Sequence, residues 1–154
     1  MMEVPAYRRT ARRFVVALAL MAASLIAIVP ATTLAADSEL FDDLGGHDGI
    51  EVIVERFLFG LADDERISHH FIETNIDRFY EKLVEHVCVL ADGPCVYTGD
   101  TMERVHAGMN LDDADFNALV EVFIEAMEEV EVPVGAQNRL LARMAKLYPE
   151  IVYR

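Results

Sequence analysis

Apolar residues recur at helical spacing along most of the chain from residue 38 onward. The apolar positions form four stripes: Ile50, Ile53, Val54, Phe57, Leu58 and Leu61; Ile76, Phe79, Leu83, Val87 and Leu90; Phe116, Leu119, Val120, Phe123, Met127 and Val130; Leu140, Leu141, Met144, Leu147 and Ile151. Positions three and four residues apart share one face of an α-helix, so the pattern predicts four substantial helices, each with a buried side. Because the first stripe contains β-branched residues, a β-strand is an alternative to a helix there.

Helix ends are also marked in the sequence. Gly45-Gly46 separates a short N-terminal helix from the first stripe, and the loop "ADGPCVYTGD" ends the second helix. Asp112 is a good N-cap for the helix that carries the third stripe, and Pro133 suits the first turn of the last helix. No segment has the pattern of a β-hairpin or a βαβ unit, so the predicted class is all-α, in one domain.

The first 35 residues differ from the rest of the chain. Four arginines precede the 16-residue apolar run "FVVALALMAASLIAIV", and Pro30 and small residues follow it. This is typical of a secretory signal peptide cleaved after Ala35, which leaves a domain of residues 36–154. The run is short for a membrane span of roughly 20 residues. We therefore expect an exported protein, periplasmic or secreted, without stable membrane insertion; a retained anchor is the alternative.

The strong negative charge of this domain disfavours some classes of binding partner. The chain has 13 basic and 27 acidic side chains; four arginines and one glutamate lie in the leader, so residues 36–154 carry a net charge of −17. Such a surface repels nucleic acid and anionic membranes and favours a soluble monomer. Cys88 and Cys95 could form a disulfide after export, but their spacing matches neither covalent haem attachment by C-x-x-C-H nor a structural zinc site.

Five histidines remain as candidate metal ligands: His47, His69, His70, His86 and His106. No pair has the spacing that places two ligands on one metal. Residue pattern alone therefore gives none of them preference, and it describes only an acidic helical domain.

The order of several motifs resembles group I truncated haemoglobins, short globins with a two-over-two helical sandwich. The matching segments are "FDDLGGHDGIEVIVERF", "LADDERISHHF", "DGPCVYTGDTMERVHAGMNL", "DADFNALVEVF" and "VPVGAQNRLLARM", in family order over nearly the whole domain. The resemblance implies a non-covalent b-type haem with His106 as the proximal iron ligand, and Gly108 lets the chain turn just beyond it. It implies these haem contacts: Leu58, Phe71, Phe79, Lys82, Leu83, Tyr97, Met102, Val105, Phe116 and Met144. Arg104 is a further candidate for the haem propionates.

The distal positions depart from the family, in which a tyrosine and polar residues donate hydrogen bonds to bound dioxygen. Here the tyrosine position falls on Leu58, or on Phe57 if the register shifts by one, and the polar positions fall on Phe79 and Leu83. An apolar distal side is therefore expected, which makes tight oxygen storage unfavourable and affects nitric oxide and carbon monoxide less.

Lys82 offers another iron ligand, because a desolvated amine can lose its proton. The alternative is a charged lysine that reaches a propionate or solvent. His86 and Tyr80 are weaker candidates, since helical spacing is expected to turn them away from Phe79 and Leu83.

Three functions follow. The first is reversible binding of a diatomic gas, as carrier, scavenger or sensor, without catalysis. The second is a redox protein on the same scaffold, such as a nitric oxide dioxygenase or a peroxidase-like or electron-transfer protein supplied by a reductase. The third is a haem-free helical interaction domain.

Overall fold

The computed structural model describes residues 35–154, with side chains described from Glu39 onward. The helices are α1 (Ala35–Asp43), α2 (Gly46–Asp63), α3 (Ile76–Leu90), α4 (Met102–Val105), α5 (Asp113–Glu129), α6 (Val134–Met144) and α7 (Tyr148–Ile151). Short 3₁₀ helices cover Ser68–Phe71 and Ala145–Leu147. No strand occurs in this part of the chain, so the all-α prediction is confirmed.

Two helix pairs make the core. Helix α2 packs against α3 and crosses α5, and α6 contacts both α3 and α5. At the α2–α5 crossing, the rings of Phe57 and Phe123 meet edge to face with centroids 5.1 Å apart. Both side chains are nearly fully buried. This arrangement matches the expected two-over-two sandwich, because each apolar stripe is covered by the opposite pair.

Two signals at the helix ends hold as predicted, whereas Pro133, expected in the first turn of the last helix, is the N-cap residue before α6. Asp112 caps α5: its Oδ1 accepts hydrogen bonds from the backbone N–H of Ala114 at 2.7 Å and of Asp115 at 3.0 Å. The Asp115 carboxylate in turn accepts the N–H of Asp112, which completes a capping box. Gly45 has a φ of 85°, the left-handed conformation that lets the chain turn between α1 and α2.

Two expectations about the helices are wrong. The last helix stops at Met144 and continues as a 3₁₀ turn and α7, because Pro149 in a continuous helix would clash with the carbonyl of Ala145. Ile76 is half exposed rather than buried, since it is the first residue of α3 and lies beyond the covered part of the helix.

The predicted signal peptide lies outside the described residues, apart from Ala35 at the start of α1. Among residues 35–154, every helix is too short or too polar to span a bilayer.

Candidate functional site

A cavity of about 430 Å³ opens between α3, α4 and α5. This volume lies within the range of small-molecule and cofactor sites. Its apolar lining consists of Phe57, Ile67, Phe71, Phe79, Leu83, Met102, Val105, Met109, Leu111, Phe116, Leu119, Val120, Phe123, Met144, Leu147 and Ile151. Its polar lining consists of His70, Thr74, Asn75, Arg78, Lys82, His86, Tyr97, Asp100, His106 and Asp115. The site therefore suits a large, mainly apolar ligand with a few polar groups.

The structure brings most of the sequence-predicted site residues to this one cavity. The lining includes Phe71, Phe79, Lys82, Leu83, Tyr97, Met102, Val105, His106, Phe116 and Met144. They come from the 3₁₀ helix before α3, from α3 itself, from the loop after it, and from α4, α5 and α6. Phe71 and Met144, which are 73 positions apart along the chain, thus line the same cavity.

Leu58 is the exception among these predicted contacts. It lines a separate, smaller cavity of about 280 Å³, and Phe57 faces the main cavity in its place. Neighbouring residues on an α-helix point about 100° apart, and the buried side of α2 is set by Ile53, Val54 and Phe57. Of the two residues considered from the sequence, Phe57 therefore lines the main cavity and Leu58 does not.

His106 is the C-cap of the one-turn helix α4, and its ring geometry is specific. Its Nδ1 lies 2.7 Å from the carbonyl oxygen of Met102. A carbonyl can only accept a hydrogen bond, so Nδ1 carries a proton, and in the neutral ring the lone pair is then on Nε2. This is the tautomer that binds a metal, with the other ring nitrogen held by a backbone acceptor.

The wall formed by α3 is apolar at the two positions where the family resemblance implies a hydrogen-bond donor. Phe79 and Leu83 both line the cavity, and the ring of Phe79 stacks on that of Phe71 with centroids 5.4 Å apart. Phe57, also apolar, is buried beside Phe123. Among the described residues, none of these three positions offers a hydrogen-bond donor to the cavity.

Comparison with known proteins identifies the family. A family model described as "Bacterial-like globin" matches residues 39–152. The group 1 truncated hemoglobin GlbN of Mycolicibacterium paratuberculosis is 33% identical over 114 residues, which cover 74% of this chain and 84% of that protein. The group 1 truncated hemoglobin of Tetrahymena thermophila is 28% identical, over 70% of this chain and 86% of its own length.

Solved structures agree with this match. The truncated hemoglobin of Tetrahymena pyriformis in its Fe(III) form superposes with a TM-score of 0.73 at 25% identity, covering 75% of this chain and 98% of that one. The 2/2 hemoglobin of Synechococcus, with covalently attached heme, superposes with a TM-score of 0.70 at 20% identity, covering 75% of this chain and 98% of that one, which is evidence for the fold alone. This chain belongs to the group 1 truncated haemoglobins. Haem binding is the function that the family implies, and the cavity and the free Nε2 of His106 fit that group.

Lys82 of this truncated haemoglobin is held as a cation. Its Nζ lies 2.9 Å from Glu85 and 3.0 Å from Glu81, and it donates to the hydroxyl of Thr98 at 2.6 Å. The bond to Glu85, followed by the bond to Glu81, raises the pKa of Lys82 above its usual value. A deprotonated amine ligand is therefore disfavoured, and the lysine instead ties α3 to the loop after it.

Glu85 is the centre of this connection. The three residues Lys82, Glu85 and Thr98 are here called the clamp. The backbone N–H of Thr98 donates to Glu85 at 2.8 Å, and this bond, with the one from Lys82, lowers the pKa of Glu85 to about 2. A disulfide between Cys88 and Cys95 joins the same two segments, with the Cα atoms 5.9 Å apart. The loop carrying Tyr97 is thus fixed to α3 by one covalent and several polar links.

His86 also lines the cavity, contrary to the expectation that helical spacing turns it away. It follows Phe79 by seven residues, which is nearly two full turns and returns to the same face. Its ring lies beside that of Tyr97, with centroids 5.0 Å apart. Burial, and to a lesser extent the nearby His106, lowers the pKa of His86, so the ring is neutral near pH 7. Tyr80, the other weak candidate, is not part of the lining.

The cations near the cavity differ from those expected. Arg104 is largely exposed and pairs with Asp100 at 3.1 Å, outside the lining. Arg78, which the sequence analysis missed, lines the cavity while remaining exposed, so it lies where the cavity opens to solvent. Within residues 39–154, no carboxylate forms an ion pair with it. A count of one turn from Lys82 toward the start of α3 would have suggested it.

Proposed function

We propose that this protein holds a non-covalent b-type haem, that His106 would bind its iron, and that the protein binds a diatomic gas reversibly. The observation that carries the proposal is the hydrogen bond from Nδ1 of His106 to the carbonyl of Met102, which leaves Nε2 of a cavity-lining imidazole free. When bound, the haem would supply an iron capable of binding a gas molecule.

The residues that line the cavity suit both the apolar ring of a haem and its propionate carboxylates. The apolar walls, including Phe71, Phe116 and Leu119, exclude water from the centre of the cavity. Arg78 at the cavity opening would pair with a propionate carboxylate, and Tyr97 lines the same cavity. Lys82 could reach a propionate only by giving up part of its clamp with Glu85 and Thr98.

The apolar positions on the distal side determine which gas is favoured. A hydrogen bond to a charged or strongly polarised acceptor is worth about 1–3 kcal/mol, or roughly 5- to 150-fold in affinity. Phe57, Phe79 and Leu83, which line the cavity, cannot supply this gain to dioxygen. Nitric oxide and carbon monoxide need it less, so we expect them to bind comparatively well.

Haem titration followed by gas kinetics tests the proposal. The purified protein should take up one haem per chain with a Soret band, and dioxygen should leave the ferrous protein quickly. A chain that stays colourless would favour the haem-free interaction domain. Slow dioxygen release from the haem protein would contradict the apolar distal side while leaving haem binding intact.

A redox protein is the second candidate, and His86 is the observation that favours it. A neutral imidazole lining the cavity is a competent iron ligand. A six-coordinate, low-spin ferric spectrum lost in His86→Phe would support this candidate. A low-spin spectrum that persists in His86→Phe and disappears in Lys82→Met would assign the sixth ligand to the lysine instead.

Export is a further part of the proposal. The leader supports it, and so does the Cys88–Cys95 disulfide, because such bonds persist in oxidising compartments. Mass spectrometry of the protein made in its native host should find an N-terminus at Ala36. An intact leader in a membrane fraction would favour the retained anchor.

A further inference from the structure

The last three residues of the chain lie alongside the segment that follows His106. The backbone N–H groups of Gly108 and Asn110 both donate to the backbone oxygen of Arg154, at 3.1 and 3.2 Å. In the opposite direction, the N–H of Tyr153 donates to the carbonyl of Leu111 at 2.8 Å. Residues 152–154, here called the C-terminal strap, therefore make three backbone hydrogen bonds to residues 108–111.

Side chains extend the contact to the other side of His106. Val152 is only 5% exposed, and Leu111 is 8% exposed. The guanidinium of Arg154 lies 3.7 Å from Glu103 on α4 and also donates to the carbonyl of Pro149. The strap thus touches the chain both before and after the candidate iron ligand.

The His106 segment needs support from outside itself. Helix α4 is a single turn, and one isolated turn of helix is unstable because it closes few hydrogen bonds for the residues it orders. Beyond it, Gly108 has a φ of 83° and Asn110 a φ of 52°, so the chain reverses without regular structure. The direction of the His106 imidazole follows from this backbone.

The strap itself is held in an unfavourable conformation. Tyr153 has a φ of 59°, in the left-handed region that residues other than glycine rarely adopt, although its side chain is largely exposed. Such a conformation persists when surrounding contacts determine it. Here those contacts are the hydrogen bonds to Leu111 and, one residue on, to Gly108 and Asn110.

We infer that the C-terminal strap is a positioning element for His106: it fixes residues 108–111 and thereby the direction and retention of the imidazole–iron bond. The inference rests on the proposed haem function. Residues of the strap act through the backbone that follows His106 and not by contact with the iron.

Two substitutions at one position separate the strap's hydrogen bonding from its side chain. Tyr153→Pro removes the N–H that bonds Leu111 and cannot adopt a positive φ. Tyr153→Gly keeps the N–H and adopts this φ without strain. Each is compared with the parent for the rate of haem transfer to an acceptor apoglobin and for the iron–histidine stretching band of the ferrous protein in resonance Raman spectra.

We expect Tyr153→Pro to lose haem roughly 2- to 13-fold faster, as the loss of one hydrogen bond implies, with a shifted or broadened iron–histidine band. Tyr153→Gly should match the parent in both. Ala142→Gly, which weakens α6 at an exposed site, controls for general destabilisation and should leave the band unchanged. An unchanged band and haem-loss rate in Tyr153→Pro would overturn the inference, as would the same changes in all three variants.

Failure of the haem proposal gives a different result. If the parent takes up no haem, amide hydrogen exchange still tests the strap, because Gly108 and Asn110 donate to Arg154. Faster exchange at these two amides in Tyr153→Pro than in Tyr153→Gly would retain the strap as a support of this segment. Equal exchange would remove it.

Discussion

The imidazole Nδ1 of His106 lies 2.7 Å from the carbonyl oxygen of Met102, one helical turn earlier. This bond fixes the ring's tautomer before any ligand arrives, because the carbonyl can accept only from a protonated Nδ1. A ligand that binds Nε2 therefore meets an oriented ring and need not order it, which reduces the entropic cost of binding.

Leu83→Gln should give this truncated haemoglobin a distal donor. Leu83 lines the cavity on α3, so a glutamine amide there can donate to bound dioxygen. We expect dioxygen dissociation to slow by roughly 5- to 150-fold, as measured by stopped-flow mixing with carbon monoxide. Leu58→Gln is the matched control, since Leu58 lines the smaller cavity, and it should leave the rate unchanged. If dioxygen dissociates more slowly from Leu58→Gln than from Leu83→Gln, Leu58 and not Phe57 would lie on the side of α2 that faces the bound gas.

Gly99→Ala should displace Tyr97 from the cavity wall. A Cβ at position 99 would overlap the hydroxyl oxygen of Tyr97, so the ring must move and lose its bond to the carbonyl of Asp100, now 2.9 Å long. Haem should then dissociate roughly 2- to 13-fold faster, as the loss of one hydrogen bond implies. Tyr97→Phe should show a similar change; wild-type dissociation in both variants would mean that Tyr97 does not help to retain the haem.

Removing the disulfide should destabilise the fold. Replacing Cys88 and Cys95 with alanine opens a loop of eight residues, and chain entropy gives a loss of about 2–3 kcal/mol for a loop of that size. Urea unfolding measures this change, and reduction of the parent protein should reproduce it. Equal midpoints for the parent and the double variant would show that the bond adds nothing beyond the clamp.

Glu85 should make stability depend on acid pH. Its pKa is lowered in the folded state to about 2, first by the Thr98 N–H and then by Lys82, so the stabilisation is complete above the unfolded carboxyl's pKa. It is lost as pH falls from about 4.5 toward 2. Urea titrations across this range should show a shallower decline for Glu85→Gln than for the parent. Glu125→Gln, an exposed change on α5, should follow the parent curve; a parallel decline in all three would exclude a role for the clamp.

Most of the fold followed from local sequence signals. The capping box at Asp112 and the apolar stripe of α5 are encoded within a few residues, and they gave the helix and its buried face. The break after Met144 was missed because it depends on Pro149, five residues later and inside a continuing apolar pattern. The strap contacts of Arg154 with Gly108 join segments 46 residues apart, which no local pattern encodes.

The site was predicted less evenly. His106 and most wall residues came from the resemblance, whose motifs are distributed along the chain. The choice between Leu58 and Phe57 stayed open because a shift of one residue rotates a helical side chain by about 100°, and only Phe57 lines the main cavity. His86 was dismissed although it lies two turns beyond Phe79 on the same face, and Arg78 was overlooked because an exposed arginine near a helix start resembles an ordinary surface residue.

The most direct test of the account is iron coordination in His106→Gly, with and without added imidazole. The ferrous parent should show the iron–histidine stretching band in resonance Raman spectra, and His106→Gly should lose both this band and most of its haem affinity. Added imidazole should restore a band, because it fills the space of the missing ring, and His69→Ala, an exposed change outside the cavity, should behave as the parent. An iron–histidine band and haem affinity that survive unchanged in His106→Gly would contradict the assignment of His106 as the residue that binds the iron.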